Sequence, residues 1–119
     1  MNRRKERSEG AANYLNDFLC LAVEAGADTL ELERVPGGLE ITWLAGGSGV
    51  GIVLQHAELE AELIGLIVRN AGLERRAEGK MQWNIQGKDR AITVEEYDSF
   101  GESCFRLKLG KAAPAGNDQ

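Results

Sequence analysis

Residues 44–54 read Leu44-Ala-Gly-Gly-Ser-Gly-Val-Gly-Ile-Val-Leu54, with four glycines in six positions after a segment that has the pattern of a strand. A glycine-rich loop after a strand can bind phosphate when it opens a helix, because backbone N–H groups and the helix dipole then meet the anion. Here the glycines lead into the apolar run 50–54, without the lysine of a P-loop or the third glycine of a dinucleotide fingerprint. The stretch therefore predicts a β-hairpin with glycines at positive φ, and no phosphate site.

Apolar residues that alternate with polar ones predict further strands on both sides of this hairpin. Before it, Leu30 and Leu32 alternate with glutamates, and a Pro-Gly-Gly turn leads into the alternating positions Leu39, Ile41 and Trp43. Three more alternating segments come late in the chain, with apolar residues at Met81, Trp83, Ile85, Ile92, Val94, Phe105, Leu107 and Leu109. This period of two predicts two antiparallel groups of three strands, each with one buried face.

Two segments have the helical period instead. Apolar residues in 11–25 recur at i, i+3, i+4 and i+7, and Gly26 is suited to end that helix. The same period returns in 57–71, and Gly72 follows it. The predicted order is therefore α-βββ-α-βββ, which favours an α+β, two-layer sandwich in which helices cover an antiparallel sheet.

Length and charge favour one small domain. Of 119 residues, we expect 11–109 to form the domain and 110–119 a flexible tail, while 1–10 form a flexible basic arm with four basic and two acidic side chains. The net charge of −5 and the pI near 4.9 disfavour a nucleic-acid partner. No apolar run reaches the length of a membrane span, and no signal peptide follows the basic start, so we expect a cytoplasmic protein.

Residues that carry chemistry are few. Cys20 and Cys104 stand far apart, and His56 is the single histidine, so the sequence predicts neither a metal site nor a cofactor. His56 precedes the second helix, where a polar side chain caps the helix or faces water. Glutamates such as Glu31 fall on the outward phase of their strands, which is typical of a solvated face. Trp43 and Trp83 fall on the inward phase and are interpreted as core residues. The residues therefore indicate a protein that is not an enzyme.

Several segments, in order, resemble the small domain that precedes the motor core in the ATPases of type II secretion and type IV pilus assembly. Its Gly-Ala-Ser-Asp-Ile-His-Ile-Glu pattern is similar to residues 26–33, which read Gly-Ala-Asp-Thr-Leu-Glu-Leu-Glu. Residues 71–76 match its Ala-Gly-Leu and Glu-Arg-Arg elements, and Gly101-Glu102 with Arg106 match its last strand, while Gly38-Leu39 and Gly46-Gly47 fit loosely. The resemblance covers about residues 13–109 and implies a PAS-like fold.

The chain departs from that family at its charged positions. Glu31 stands where the family has histidine, and Thr42, Leu44 and Thr93 stand where it commonly has arginine. In the family, basic residues of this domain help to sense nucleotide held by the motor core, and these 119 residues contain no such core. The resemblance therefore implies a stand-alone copy that binds protein rather than ATP, as an accessory or assembly factor beside a secretion or pilus component.

The candidate interaction residues are Arg75, Arg76 and Arg106, because arginines are enriched at interfaces and stand out on an acidic protein. The alternative is that they pair with neighbouring acids such as Glu74, Glu78 or Glu102. Two other functions stay open. A small acidic export chaperone has a similar order of elements and a similar pI, although it normally ends in a further helix. A PAS-like small-molecule sensor is the third interpretation.

Overall fold

The computed structural model describes the backbone of residues 3–99 and 101–112 and the side chains of 10–99 and 101–111. The elements are α1 (Arg3–Glu24), β1 (Thr29–Val35), β2 (Gly38–Ala45), β3 (Ser48–Leu54), α2 (Ala57–Ala71), β4 (Glu78–Ile85), β5 (Lys88–Ser99) and β6 (Glu102–Ala112). This is the predicted order, and the α+β class is confirmed.

The six strands form a single antiparallel sheet in the order β3-β2-β1-β6-β5-β4. Each group of three consecutive strands is a meander, and the pairing of β1 with β6 joins the two groups. In that pairing Leu30 lies opposite Leu107, and Glu31 lies opposite Arg106. The first and last strands of the fold are therefore neighbours near the middle of the sheet, and β3 and β4 are its edges.

The core lies between the two helices and one face of the sheet. Apolar side chains at alternate positions of the strands pack there against the apolar faces of α1 and α2. The larger side chains that are fully buried are Leu15, Leu19, Leu30, Leu32, Leu39, Ile41, Leu63, Ile67, Ile85, Ile92, Val94 and Leu107. The other side of the sheet, which we call the open face, carries Glu31, Thr42, Glu95 and Arg106 in one row across the strands. The two-layer sandwich follows from this one-sided burial.

The glycine-rich stretch is the hairpin that the sequence predicts. Gly46 and Gly47 form its two-residue turn and have φ angles of 59° and 89°, as in the type I′ turn that suits the twist of a hairpin. Glycine also ends α2, where Gly72 has φ 70° and its N–H reaches the carbonyls of Val68 and Arg69. The bounds of α2 agree with the predicted 57–71.

The ends of other elements differ from the prediction. The backbone of α1 is helical from Arg3, whereas the sequence predicts that the helix begins at residue 11. Strand β6 extends through Ala112, which pairs with Arg90 and lies three residues beyond Leu109, the last apolar position that predicts the strand. Residues 1–2 and 113–119, which belong to the predicted arm and tail, lie outside the described residues. The strand ends differ because hydrogen bonding between strands continues past the buried apolar residues, whereas the sequence pattern that predicts a strand covers only those buried residues.

Candidate interaction surface

Arg106 lies in the middle of the open face and is held by contacts within the chain. Its Nε donates a hydrogen bond to Glu31 Oε2 at 2.7 Å, and its Nη1 lies 3.7 Å from Glu95 Oε1. The guanidinium carbon lies 4.8 Å from the centre of the Tyr97 ring, within the range of a cation–π contact. The hydrogen bond to Glu31 raises the pKa of Arg106 above its usual value. Arg106 thus pairs with acids, as the alternative prediction states, but with acids of adjacent strands.

Arg75 and Arg76 lie elsewhere, in the connection between α2 and β4 beside the far edge of the sheet. Both side chains are exposed. Within the side chains that the structure describes, neither arginine forms an ion pair. The three predicted interaction residues therefore divide into a paired arginine on the sheet and two solvated arginines in a loop.

Two titratable side chains near Arg106 on the open face are shielded from water: Cys104 is buried and Tyr97 is partly buried. Cys104 is 1% exposed, although it lies on the open face, and its strand position is opposite Tyr97. Burial raises the pKa of the Cys104 thiol and, with a smaller contribution from Glu31, that of the Tyr97 hydroxyl. Because Cys104 is buried, its side chain packs as a small apolar group.

A different surface has the properties of a binding site. Between the C-terminal half of α1 and the edge strand β3 lies an apolar groove of about 510 Å³, which we call the α1–β3 groove. Its lining includes Phe18 and Leu21 from α1, Trp43 from β2, and Val50 and Ile52 from β3. No charged side chain contributes to this lining within the described residues.

The walls of the α1–β3 groove are unusually exposed for their residue types. Val50 is 72% exposed, Leu21 50% and Ile52 45%. They stay exposed because β3 is an edge strand, and α1 ends at Glu24 without covering it. Exposed large apolar side chains that adjoin one another typically mark an interaction site, whereas scattered single ones need no explanation.

Trp43 separates the groove from the core. Its Nε1 donates a hydrogen bond to the carbonyl oxygen of Phe18 at 2.7 Å, and its ring meets the Phe18 ring edge-on at 5.7 Å. The polar N–H is thus satisfied internally, so the indole offers the groove an apolar surface. Trp83 also packs against the core and donates to Asn16 Oδ1 at 3.4 Å. Both tryptophans lie on the predicted, helix-covered face, but each is only partly buried.

A smaller polar pocket lies near the start of α2, and its side chains Arg34 and Glu60 contact each other within the chain. Glu60, which is 6% exposed, accepts a hydrogen bond from the His56 backbone N–H at 2.8 Å and lies 3.7 Å from Arg34 Nη1. In return, His56 Nδ1 accepts a hydrogen bond from the Leu59 N–H at 3.2 Å. This reciprocal arrangement caps α2 in the manner of a capping box, which uses His56 as the sequence suggests.

In the part of the chain that the structure describes, no three side chains of histidine, cysteine, aspartate or glutamate come together in a way that could hold a metal ion. Among the same residues, neither helix combines the length and the apolar character needed to cross a membrane.

The sequence contains a signal for the α1–β3 groove that residue-by-residue motif reasoning does not use. Leu21 lies off the apolar stripe that predicts α1, and Val53 faces away from the side of β3 that carries Val50 and Ile52. Between Ser48 and Leu54 there is no charged residue. A strand that is apolar on both faces, next to an apolar residue off the helical stripe, indicates an exposed surface.

No protein-family model matches the sequence, and no curated protein matches it significantly.

Proposed function

We propose that this chain is a non-enzymatic protein-interaction module that binds a partner polypeptide in the α1–β3 groove. The observation that carries the proposal is the adjacent exposure of Leu21, Val50 and Ile52 around an apolar groove. Contiguous exposed aliphatic side chains of this kind are costly in water and gain most from being covered by another apolar surface.

The chemistry of the lining defines what the partner contributes. Since no charged side chain lines the groove within the described residues, the partner inserts aliphatic or aromatic side chains. Covering the exposed parts of Leu21, Val50 and Ile52 contributes roughly 2–5 kcal/mol, given about 1.5–3 kcal/mol for one fully buried aliphatic side chain. That is less than the binding energy of a micromolar complex, about 8 kcal/mol, so contacts around the groove must add to it.

The partner we propose is a component of a secretion or pilus machine. Support comes from the ordered resemblance of segments 26–33, 71–76 and 101–106 to the domain that precedes the motor core in those ATPases. The structure also gives Glu31, at the family's histidine position, a role inside the chain as the partner of Arg106. Because Glu31 and Arg106 bond to each other, neither is free to contact a nucleotide, which fits an accessory protein better than a nucleotide sensor.

An export chaperone is the second candidate, and one observation favours it. The groove adjoins the free edge of β3, where an extended segment of an unfolded chain can add as a strand while its side chains enter the groove. A chaperone would bind unfolded segments of an exported substrate, whereas an accessory module would bind a folded machine component.

Site-specific photo-crosslinking in the native host tests the proposal. A photoreactive amino acid replaces Leu21 in the groove, and the matched control places it at Gln82, an exposed position on the opposite edge strand. We expect one discrete protein adduct from position 21, its loss in a Val50→Lys background, and no such adduct from position 82. Equal adducts from both positions, or none from position 21, would overturn the proposal.

The identity of the adduct separates the two candidates. A folded secretion or pilus component supports the accessory module, and an exported substrate captured before folding supports the chaperone. Loss of adduct formation when a small apolar compound is added before irradiation, with a change in Trp43 fluorescence, would instead favour a small-molecule sensor.

A further inference from the structure

The two edges of the sheet differ in how they are protected from pairing. Strand β4 carries Glu78 and Lys80, and charged side chains on an edge strand discourage the addition of another strand. Strand β3, Ser48–Leu54, carries no charge and no proline, and all its residues but the last are exposed. An uncharged edge of this kind is available for pairing with another strand.

The turn fixes which backbone groups of β3 face outward. In a two-residue hairpin the residues flanking the turn, here Ala45 and Ser48, form a hydrogen-bonded pair, and such pairs alternate along the ladder. Val50 and Ile52 therefore bond to β2. The N–H and C=O groups of Gly49, Gly51 and Val53 point away from the sheet.

We propose that two copies of this chain pair through β3, antiparallel, about a two-fold axis at Gly51. In this register Gly51 lies opposite Gly51 of the second copy, and Gly49 lies opposite Val53. All three outward-facing residues then fall in hydrogen-bonded pairs, which exchange about six backbone hydrogen bonds across the seam. A register shifted by one residue would instead place each outward-facing residue opposite one whose N–H and C=O groups already bond to β2.

Side-chain sizes fit the same register. On the open face the larger Val53 lies opposite the small Gly49, over which Leu44 leans: a Cβ at Gly49 would be 2.7 Å from Leu44 Cδ2. On the helix-covered face Val50 lies opposite Ile52, so each exposed aliphatic side chain gains an aliphatic neighbour. On the open face, Val53 thus faces Gly49 on both sides of the central Gly51 pair, and on the helix-covered face apolar residues face each other.

Charges also permit the pairing. The charged residue of β2 nearest to β3 is Glu40, which lies opposite Val53. Strand spacing and rise place the two Glu40 residues of the pair roughly 20 Å apart, beyond the screening length of about 8 Å at physiological salt. No like charges therefore meet at the seam.

The pairing goes beyond the proposed function: it uses the edge of β3, where an extended substrate of the chaperone candidate would also add, and it leaves the α1 wall of the groove uncovered. It would form one continuous sheet with both helical layers on the same side. The two α1–β3 grooves would then lie next to each other along the seam. Failure of the pairing would leave the crosslink from Leu21 unaffected.

Sedimentation of the purified chain at concentrations up to about 1 mM tests the proposal, because that range populates even a weak dimer. We expect a concentration-dependent dimer that Val53→Pro or Val53→Lys abolishes. The proline removes an N–H that bonds nothing within the sheet, so β3 keeps its pairing with β2. The matched controls Gln82→Pro and Gln82→Lys change the opposite edge at a position with the same outward N–H, and should leave the dimer intact.

Amide hydrogen exchange on the wild-type chain provides a test that needs no substitution. As the dimer forms, the amides of Gly49, Gly51 and Val53 should gain protection, while those of Val50 and Ile52 are protected already. A monomer at every concentration, a dimer lost equally in the Gln82 variants, or protection that omits these three amides would overturn the proposal. A hetero-complex that protects them in place of a second copy would also overturn it.

Discussion

Glu31 Oε2 lies 2.7 Å from Arg106 Nε across the pairing of β1 with β6, which joins the two halves of the sheet. The two side chains are 26% and 37% exposed, so the pair is neither fully solvated nor fully buried. Arg106 is one of the residues that the sequence nominates for partner binding, and the structure gives it a stabilising role within the chain. Arg106 also lies 3.7 Å from Glu95 on β5, so it connects acidic side chains of both neighbouring strands.

A double-mutant cycle on this pair should show coupling. We expect Glu31→Gln and Arg106→Gln to destabilise the protein by about 0.5–1.5 kcal/mol each, with a coupling of about 0.5–1 kcal/mol, since the hydrogen bond is charge-assisted but partly screened. Urea unfolding at neutral pH measures both quantities. Arg75→Gln is the control and should change the free energy of unfolding by less than about 0.5 kcal/mol. Strictly additive single effects would contradict the prediction.

Gly79→Ala should be strongly destabilising. The new Cβ would overlap the carbonyl oxygen of Ala71 at the end of α2, and backbone atoms at that junction cannot move away as a flexible side chain could. We expect a loss of about 1–3 kcal/mol, as for other overpacked sites. Gly10→Ala is the matched control: it lies in α1 with open space around its Cα, so it should stabilise the helix by about 0.5–1 kcal/mol. Thermal unfolding of both variants checks the opposite signs.

His56 should act as the N-cap of α2. His56→Ala removes the acceptor for the Leu59 N–H, and we expect a loss of about 1 kcal/mol. His56→Asn restores a capping acceptor and should recover most of that stability. The measurement is the denaturant midpoint of the three proteins; equal midpoints for alanine and asparagine would show that the side chain does not cap.

Alkaline pH should destabilise the fold through Tyr97 and Cys104. The pKa of each group is raised in the folded state, mainly by burial, so the folded state holds its protons longer than the unfolded chain. The resulting stability is complete below the unfolded values, about 9 for the thiol and 10 for the hydroxyl, and is lost as pH rises through the folded values.

Urea midpoints measured from pH 8 to pH 11 would test this pH dependence. The double variant Tyr97→Phe with Cys104→Ala removes both titrating groups and should flatten the decline. A decline of the same steepness in that variant would assign the alkaline sensitivity to other groups.

Binding to the captured partner should depend on the α1–β3 groove more than on the loop arginines. Val50→Lys introduces a charge into an apolar lining and should weaken binding at least tenfold, which corresponds to about 1.4 kcal/mol. Because Val50 is 72% exposed, the fold should be unaffected. Because Arg75 and Arg76 are exposed, Arg75→Glu with Arg76→Glu should also leave the fold intact. If this double variant weakens binding more than Val50→Lys does, the interface centres on the loop.

The regular elements are predictable because their sequence signals are local. The helical period of residues 57–71, followed by Gly72, predicts the bounds of α2, and the structure has the same bounds. The Gly46-Gly47 pair predicts a tight turn, and both glycines have the positive φ that such a turn requires. Strand ends are harder to predict. In β5 only Ile92 and Val94 are fully buried, whereas hydrogen bonding to neighbouring strands extends the element to twelve residues.

The candidate surface was less predictable because it depends on which strands become edges. The exposure of Val50 and Ile52 follows from the position of β3 at one end of the sheet, which the order β3-β2-β1-β6-β5-β4 sets. That order requires β1 to pair with β6, residues more than seventy positions apart. Likewise, Arg106 could not be matched to Glu31 from sequence, so nearby acids were the predicted partners.

The adjacency of the first and last strands also orders the events of biosynthesis. As the chain leaves the ribosome, α1 and the first three strands emerge well before residues 102–112, yet β1 lacks one of its two neighbours until that last strand appears. The nascent chain therefore exposes a temporary second edge at β1, with the buried side chains Leu30 and Leu32 beside it. Closing such a distant contact is slow compared with forming a hairpin. The late step of folding is thus the pairing of β6, the last strand of the second meander, with β1 of the first meander.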